Sequence, residues 1–131
     1  MKKLGIMNRD ISEVVAEMGH NDMLIICGSA YPIPKDAKRI DLALEPGLPA
    51  FMDVLRVVLK ELEVERFLVA KQTEEKSPKR FHEICDMLQG KERIMVDQDE
   101  LKKTALQAKA YIRTGECTPF SNVILISGVI F

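Results

Sequence analysis

Gly19-His20-Asn21-Asp22-Met23-Leu24-Ile25-Ile26-Cys27-Gly28 is the stretch that decides the fold. Its apolar half, Met23 to Cys27, is an uninterrupted run closed by Gly28, the pattern of a strand buried on both faces of a sheet. Immediately upstream, Ile11, Val14, Val15 and Met18 recur at i, i+3, i+4 and i+7, which predicts an amphipathic helix with Asp10 as its cap and Gly19 as its stop. The polar half therefore joins a helix to a buried strand, and it carries a histidine.

Working outward, the same alternation continues. Pro32 and Pro34 mark a loop, Arg39 to Leu44 reads as a short strand, and Pro46-Gly47 is turn punctuation. Phe51, Val54, Leu55, Val58 and Leu62 give helical spacing within Pro49 to Leu62, and Val64 to Ala70 reads as the next strand. A helix is predicted over Pro78 to Gln89 with Gly90 as its C-cap, then a strand over Arg93 to Val96. Asp97 and Glu100 have the spacing of a capping box at the start of a further helix. The chain closes through Ala110 to Arg113, a polar loop over Thr114 to Asn122, and an apolar strand over Val123 to Ile126. Strands alternating with helices predict an α/β fold: a central, largely parallel sheet with helices on both faces, in a single domain over residues 1–131.

Composition narrows the function. With 131 residues and 47% hydrophobic composition, the chain holds one real core. A net charge of -1 from 19 basic and 20 acidic residues gives no clustered basic excess, so nucleic acid is not an expected partner. No apolar run approaches the roughly 20 residues needed to span a bilayer, and the segment after Met1-Lys2-Lys3 is too short for a signal peptide. A soluble cytoplasmic protein with no membrane partner is expected. The odd set Cys27, Cys85 and Cys117 has no CxxC spacing, which suggests neither a disulfide framework nor a metal site. Cys27 and Cys117 read as small buried side chains or as neighbours of a site.

Ligands of open α/β sheets gather at strand ends. Three polar loops qualify: Gly19 to Asp22, Gly28 to Lys35, and Thr114 to Asn122. His20 supplies a group that exchanges protons near neutral pH, with Asp22 close enough in sequence to hold its ring. A helix-end cap is the plainer role for His20, and an ordinary turn the plainer role for Asp22. The second histidine, His82, falls in a charged helical segment and reads as a solvated face. Glu116 and Asn122 suit a neutral polyhydroxylated ligand, although both also serve as turn formers beside Gly115 and Pro119. No glycine-rich loop leads into a helix in the manner of a phosphate site.

Several separated motifs carry a resemblance that runs almost end to end. They are Gly5-Ile6-Met7-Asn8, Gly19-His20-Asn21-Asp22, Pro32-Ile33-Pro34, Arg39-Ile40-Asp41-Leu42-Ala43-Leu44, Pro46-Gly47-Leu48-Pro49-Ala50-Phe51, Ile112 through Asn122, and Gly128-Val129-Ile130-Phe131. In these the chain resembles the ribose pyranase and fucose mutarotase superfamily. The resemblance implies cofactor-independent interconversion of the pyranose and furanose forms of D-ribose or a related aldose. It also implies a ring-based homo-oligomer, a decamer, with sites near subunit contacts. His20 matches the acid/base histidine of that superfamily, and Asn122 matches a sugar-contacting asparagine. Gln98, Phe120 and Ser121 fall at further substrate-contacting positions, with Asp22 and Glu116 in supporting roles.

Three positions depart from the pattern of the superfamily. Gly28-Ser29-Ala30 stands where Asp-Ala-Gly is usual, Gln98 replaces a second ligand-contacting histidine, and Phe120 replaces a tyrosine. Gln98 still donates and accepts hydrogen bonds but carries no proton at neutral pH, and Phe120 has no hydroxyl. Three readings follow: a D-ribose isomerase, a sugar-binding or regulatory relative with weakened catalysis, and a mutarotase for another monosaccharide.

Overall fold

The computed structural model describes residues 1–131. Six strands form one sheet: β1 (Met23–Cys27), β2 (Arg39–Asp41), β3 (Val64–Ala70), β4 (Glu92–Val96), β5 (Tyr111–Arg113) and β6 (Val123–Ser127). Their spatial order is β2-β5-β1-β6-β3-β4. The β2–β5, β1–β5 and β3–β4 pairs are parallel, while β6 runs antiparallel to both β1 and β3. Five strands thus share one direction and β6 alone reverses it, which makes the sheet mixed.

Five helices accompany the strands: α1 (Arg9–Glu17), α2 (Phe51–Leu59), α3 (Lys71–Lys76), α4 (Pro78–Met87) and α5 (Gln98–Ala105). Because strand side chains alternate between faces, each central strand feeds two cores. Leu24 and Ile26 of β1, Phe67 and Val69 of β3, and Val123 and Leu125 of β6 pack with α1, α2 and α4 on one face. Ile25, Cys27, Leu68, Ala70, Ile124 and Ile126 pack with Leu101 and Ala105 of α5 and with Tyr31 and Tyr111 on the other. The continuous apolar runs are the direct signature of this two-sided burial.

Some boundaries differ from the sequence reading, each for a local reason. Asn8, not Asp10, caps α1: its side chain accepts a hydrogen bond from Ile11 N at 2.9 Å, so the helix starts at Arg9, two residues earlier than an Asp10 cap would set. The helix stops at Met18, before Gly19. Leu88 is the C-cap of α4, with Gly90 two residues beyond at a φ of 87°. Asp97 precedes α5, but no side-chain capping bond forms; Gln98 N instead donates to Gln72 Oε1 of α3 at 2.9 Å. The strand expected over Arg39 to Leu44 ends at Asp41, whose carboxylate turns back to accept from Ala43 N at 3.1 Å. The sequence reading did not anticipate α3, since Lys71–Lys76 has no apolar stripe.

Candidate functional site

The direction of β1 divides the site residues between two ends of the sheet. His20 lies before the first residue of β1, and Gly28 follows its last. At about 3.3 Å per residue, the strand holds these positions roughly 15 Å apart.

At the His20 end, a tight turn fixes the histidine's backbone. Asp22 N donates to Gly19 O (3.1 Å), Asp22 Oδ2 accepts from Gly19 N (2.8 Å), and Asn21 sits at a φ of 72°. The turn is anchored to the end of β6, where Asn21 N donates to Ser127 O, Ser127 N donates to Asp22 O, and Ser127 Oγ donates to Gly19 O. Asp22 therefore shapes the turn and does not hold the ring. The imidazole partner is Glu65 at the start of β3, 3.2 Å from Nε2. A carboxylate only accepts, so Nε2 is the donor in this contact. The ring is about half exposed, at 47%. Glu65 was missed by sequence reasoning because only the registry of β6 between β1 and β3 brings it to His20.

At the other end, the loop from Thr114 to Asn122 leaves β5, crosses over the end of β1 and enters β6. Beneath it lies a cleft of about 410 Å³, at the small end of the usual range for ligand pockets, about 300–1,000 Å³. Gln98, Phe120, Ser121 and Asn122 all line it, together with Gly28 and Glu116. Asn122 Oδ1 accepts from Gly28 N at 3.3 Å, which leaves its amide hydrogens as donors. Ser121 Oγ and Gln98 Oε1 are buried with no hydrogen-bond partner. Buried polar groups are ordinarily satisfied, so two orphans lining one cleft, one on α5 and one on the loop, point to a hydroxylated ligand.

The loop is braced by α3, α4 and the segment after β1. Thr73 Oγ1 donates to Phe120 O (2.8 Å) and Ser77 Oγ to Pro119 O (2.7 Å), while Phe120 takes a φ of 58°. Ser29 N and Oγ both donate to Glu116 O. Glu116 itself is a latch: it accepts from Arg80 Nη1 (2.9 Å), Phe51 N (3.0 Å) and Thr118 Oγ1 (2.8 Å). Burial alone raises its pKa, but Arg80, the Phe51 N–H and Thr118 outweigh it and hold the carboxyl at about 2. Gly115 lies so close to Leu48 that an added Cβ would meet backbone atoms at 2.3 to 2.6 Å. Thr73, Ser77 and Arg80 left no signal in the sequence, because each acts through a contact 36 or more residues away.

The cysteines divide. Cys27 is fully buried, and burial pushes its thiol up to about 12 against the opposing pull of Arg113, which makes it inert. Cys117 is exposed at the cleft rim. A larger groove of about 620 Å³ beside α1 and α2 is walled by apolar side chains such as Ile6, Met7, Leu44 and Leu48. Its polar lining is limited to Asn8, Asp41 and Asp53, too few groups to pair a sugar's hydroxyls on all sides, so size does not make it the site. No helix is long and apolar enough to cross a membrane.

The profile of the RbsD / FucU transport protein family matches residues 1–130. The chain belongs to the RbsD/FucU family. Within or beside it, the D-ribose pyranase of Lactobacillus acidophilus is 51% identical over 131 residues, and that of Petrotoga mobilis 49%, each match covering 100% of both chains. The structure of Bacillus subtilis RbsD complexed with D-ribose is 37% identical and superposes over 100% of both chains with a TM-score of 0.97. The fucose mutarotase of Streptococcus pneumoniae in complex with L-fucose is 20% identical, with a TM-score of 0.81 over 95% of each chain, a likeness of fold alone. For this family member, then, the sequence resemblance and the α/β architecture agree.

Proposed function

We propose that the protein is an isomerase that interconverts the pyranose and furanose forms of D-ribose or a related aldose, without a cofactor. The observation that carries this reading is the full-length identity of 49–51% to D-ribose pyranases. The cleft supports it, with the Asn122 amide and the unpartnered Ser121 and Gln98 atoms offering hydrogen bonds to hydroxyls.

The chemistry is a proton relay. His20 Nδ1 takes the proton of the anomeric hydroxyl as the C1–O5 bond breaks, and O5 receives a proton to leave an open-chain aldehyde. The C4 hydroxyl then attacks C1, gives up its proton, and the carbonyl oxygen is reprotonated as the furanose closes. No atom is gained or lost. General acid-base assistance of this kind contributes about 10²- to 10⁴-fold, near 3–5 kcal/mol of barrier. Glu65 fixes the ring and its tautomer.

Because His20 and the cleft occupy opposite ends of one sheet, the working site pairs the histidine of one copy with the cleft of another. A homo-oligomer, as a ring-based decamer, accommodates this. Exposed Met7, Leu44, Leu48, Ile130 and Phe131 supply apolar surface for such contacts. The cytoplasm suits a free sugar as substrate. The test is complementation: His20→Ala and Asn122→Ala variants, each inactive in ribose exchange by saturation-transfer NMR, are mixed and reassembled. Hybrid contacts restore about a quarter of wild-type sites on random assortment. No recovery from a verified hybrid removes the shared site.

A second reading is a sugar-binding relative with weakened catalysis, and Gly28 favours it, since no carboxylate stands at that cleft position. Calorimetric ribose binding with unaccelerated exchange selects this binder.

A further inference from the structure

We infer that a β-bulge in β3 aims the proton-transfer group, and that Arg66 is a positioning residue that acts on His20 through Glu65 and Asn21. The inference rests on the reading of His20 as the acid/base group of a sugar isomerase and adds what holds that group in place.

The bulge is visible in the strand register. Val64 pairs with Ser127 and Arg66 with Ile126, so two steps along β3 match one along β6, and Glu65 is the extra residue. Burial follows the same shift. Val64 packs in the core that holds Phe67 and Val69, whereas Leu68 and Ala70 pack in the other. Strict alternation would have put Val64 with Leu68. Instead two consecutive polar residues, Glu65 and Arg66, interrupt the buried run, and both side chains reach the turn from Gly19 to Asp22. Re-aiming a side chain beside a reactive group is what bulges commonly do.

Each member of the pair grips one residue of that turn. Glu65 accepts from His20 Nε2 through both oxygens, at 3.2 and 3.3 Å. Arg66 Nη2 donates to Asn21 Oδ1 at 2.9 Å, and its Nε lies 3.5 Å from Glu65 Oε2. One guanidinium thus ties the partner of the ring to the residue that follows the histidine. The other charges nearby are engaged elsewhere: Asp22 accepts from Gly19 N and lies 3.8 Å from Lys109 Nζ, and Glu63 pairs with Lys91 at 3.2 Å. Gly128 backs the bulge. Its N–H donates to Glu63 O at 2.9 Å, and a Cβ added there would meet Glu65 Cβ at 3.0 Å. A half-exposed ion pair adds little to stability, so the value of this one lies in orientation.

The test uses the full oligomeric protein. Saturation-transfer NMR reads ribose exchange, and isotope-labelled histidine reads the two imidazoles of the chain, His20 and His82. Arg66→Met is expected to lower exchange at saturating ribose about two- to fivefold, the worth of a half-exposed ion pair. The half-saturating concentration stays the same, because the cleft is untouched. The His20 ring signal is displaced and that of His82 is not. Arg66→Lys, which keeps the charge, recovers most of the rate. Gly128→Ala, which presses on the bulge without removing a charge, lowers the rate about tenfold and displaces the same signal. In a Glu65→Gln background Arg66→Met costs less than it does alone, since residues acting as a unit are not additive. Lys91→Met, which breaks the neighbouring surface ion pair, changes neither readout. A wild-type rate and ring signal in Arg66→Met, or its full loss repeated in the Glu65→Gln background, overturns the inference, while an inactive His20→Ala keeps the isomerase reading. Wild-type exchange no faster than that of free ribose removes the isomerase reading instead. The ring signal then decides: displaced in Arg66→Met it upholds the positioning, and unmoved it overturns it.

Discussion

The two ends of the sheet are built to different rules. At the cleft end, backbone and side-chain bonds from α3, α4 and two loops converge on residues 114–122, so the ligand-facing groups are held before any ligand arrives. At the His20 end, a four-residue turn is pinned to β6, but the imidazole itself projects into solvent with one carboxylate partner. The difference teaches that the cleft groups are preorganised within one chain while the imidazole is presented outward, which is the arrangement the proposed shared site requires.

Breaking the outward end has the largest expected effect. His20→Ala lowers ribose exchange by about 10²- to 10⁴-fold in saturation-transfer NMR without moving the unfolding midpoint. A wild-type exchange rate in that variant removes the histidine from the reaction.

Breaking the latch at the other end acts on stability first. Glu116→Ala leaves the Arg80 guanidinium, which is 13% exposed, with only Glu83 at 3.5 Å as a carboxylate partner, and is expected to cost about 3 kcal/mol in denaturant titration. The same carboxylate predicts an acid response. Its folded pKa is depressed to about 2 from 4.5, so its contribution is present above pH 4.5 and is lost as pH falls toward 2. The shift corresponds to about 3 kcal/mol. Denaturant midpoints of wild type and Glu116→Gln should therefore converge across that window; parallel curves contradict the latch.

Smaller changes sharpen the contrast. Glu65→Gln keeps a hydrogen-bonding oxygen but loses the charge beside His20, and ribose exchange is expected to fall about tenfold with a displaced pH profile. Gly28→Asp, at the cleft end, should change D-ribose affinity only two- to fivefold by calorimetry, about the worth of one added hydrogen bond. Its Cβ needs a few tenths of an ångström of adjustment against Glu116 O. A change of Kd larger for Gly28→Asp than of exchange for His20→Ala would invert the assignment of roles.

Much of this was legible in the chain itself. Met23–Cys27 and Val64–Ala70 were readable to the residue, because burial on both faces demands unbroken apolar runs. The reversal of β6 was not, since an apolar run carries no direction. At the site, His20, Gln98, Ser121 and Asn122 stood out through residue type or resemblance, whereas Glu65, Thr73, Ser77 and Arg80 work across long sequence separations. Asp22, two residues from the histidine, was the natural candidate for its partner. The turn spends that carboxylate on Gly19 N instead, and a strand 45 positions away supplies the partner.

The reversed direction of β6 has an evolutionary consequence. A connection that leaves β5 and enters β6 at the same end of the sheet, passing over β1 on the way, takes its shape from outside partners, as Thr73, Ser77 and Arg80 give it here. Substitutions at those three positions therefore re-form one rim of the molecule while the sheet stays as it is, so the outline of the cleft evolves separately from the scaffold beneath it.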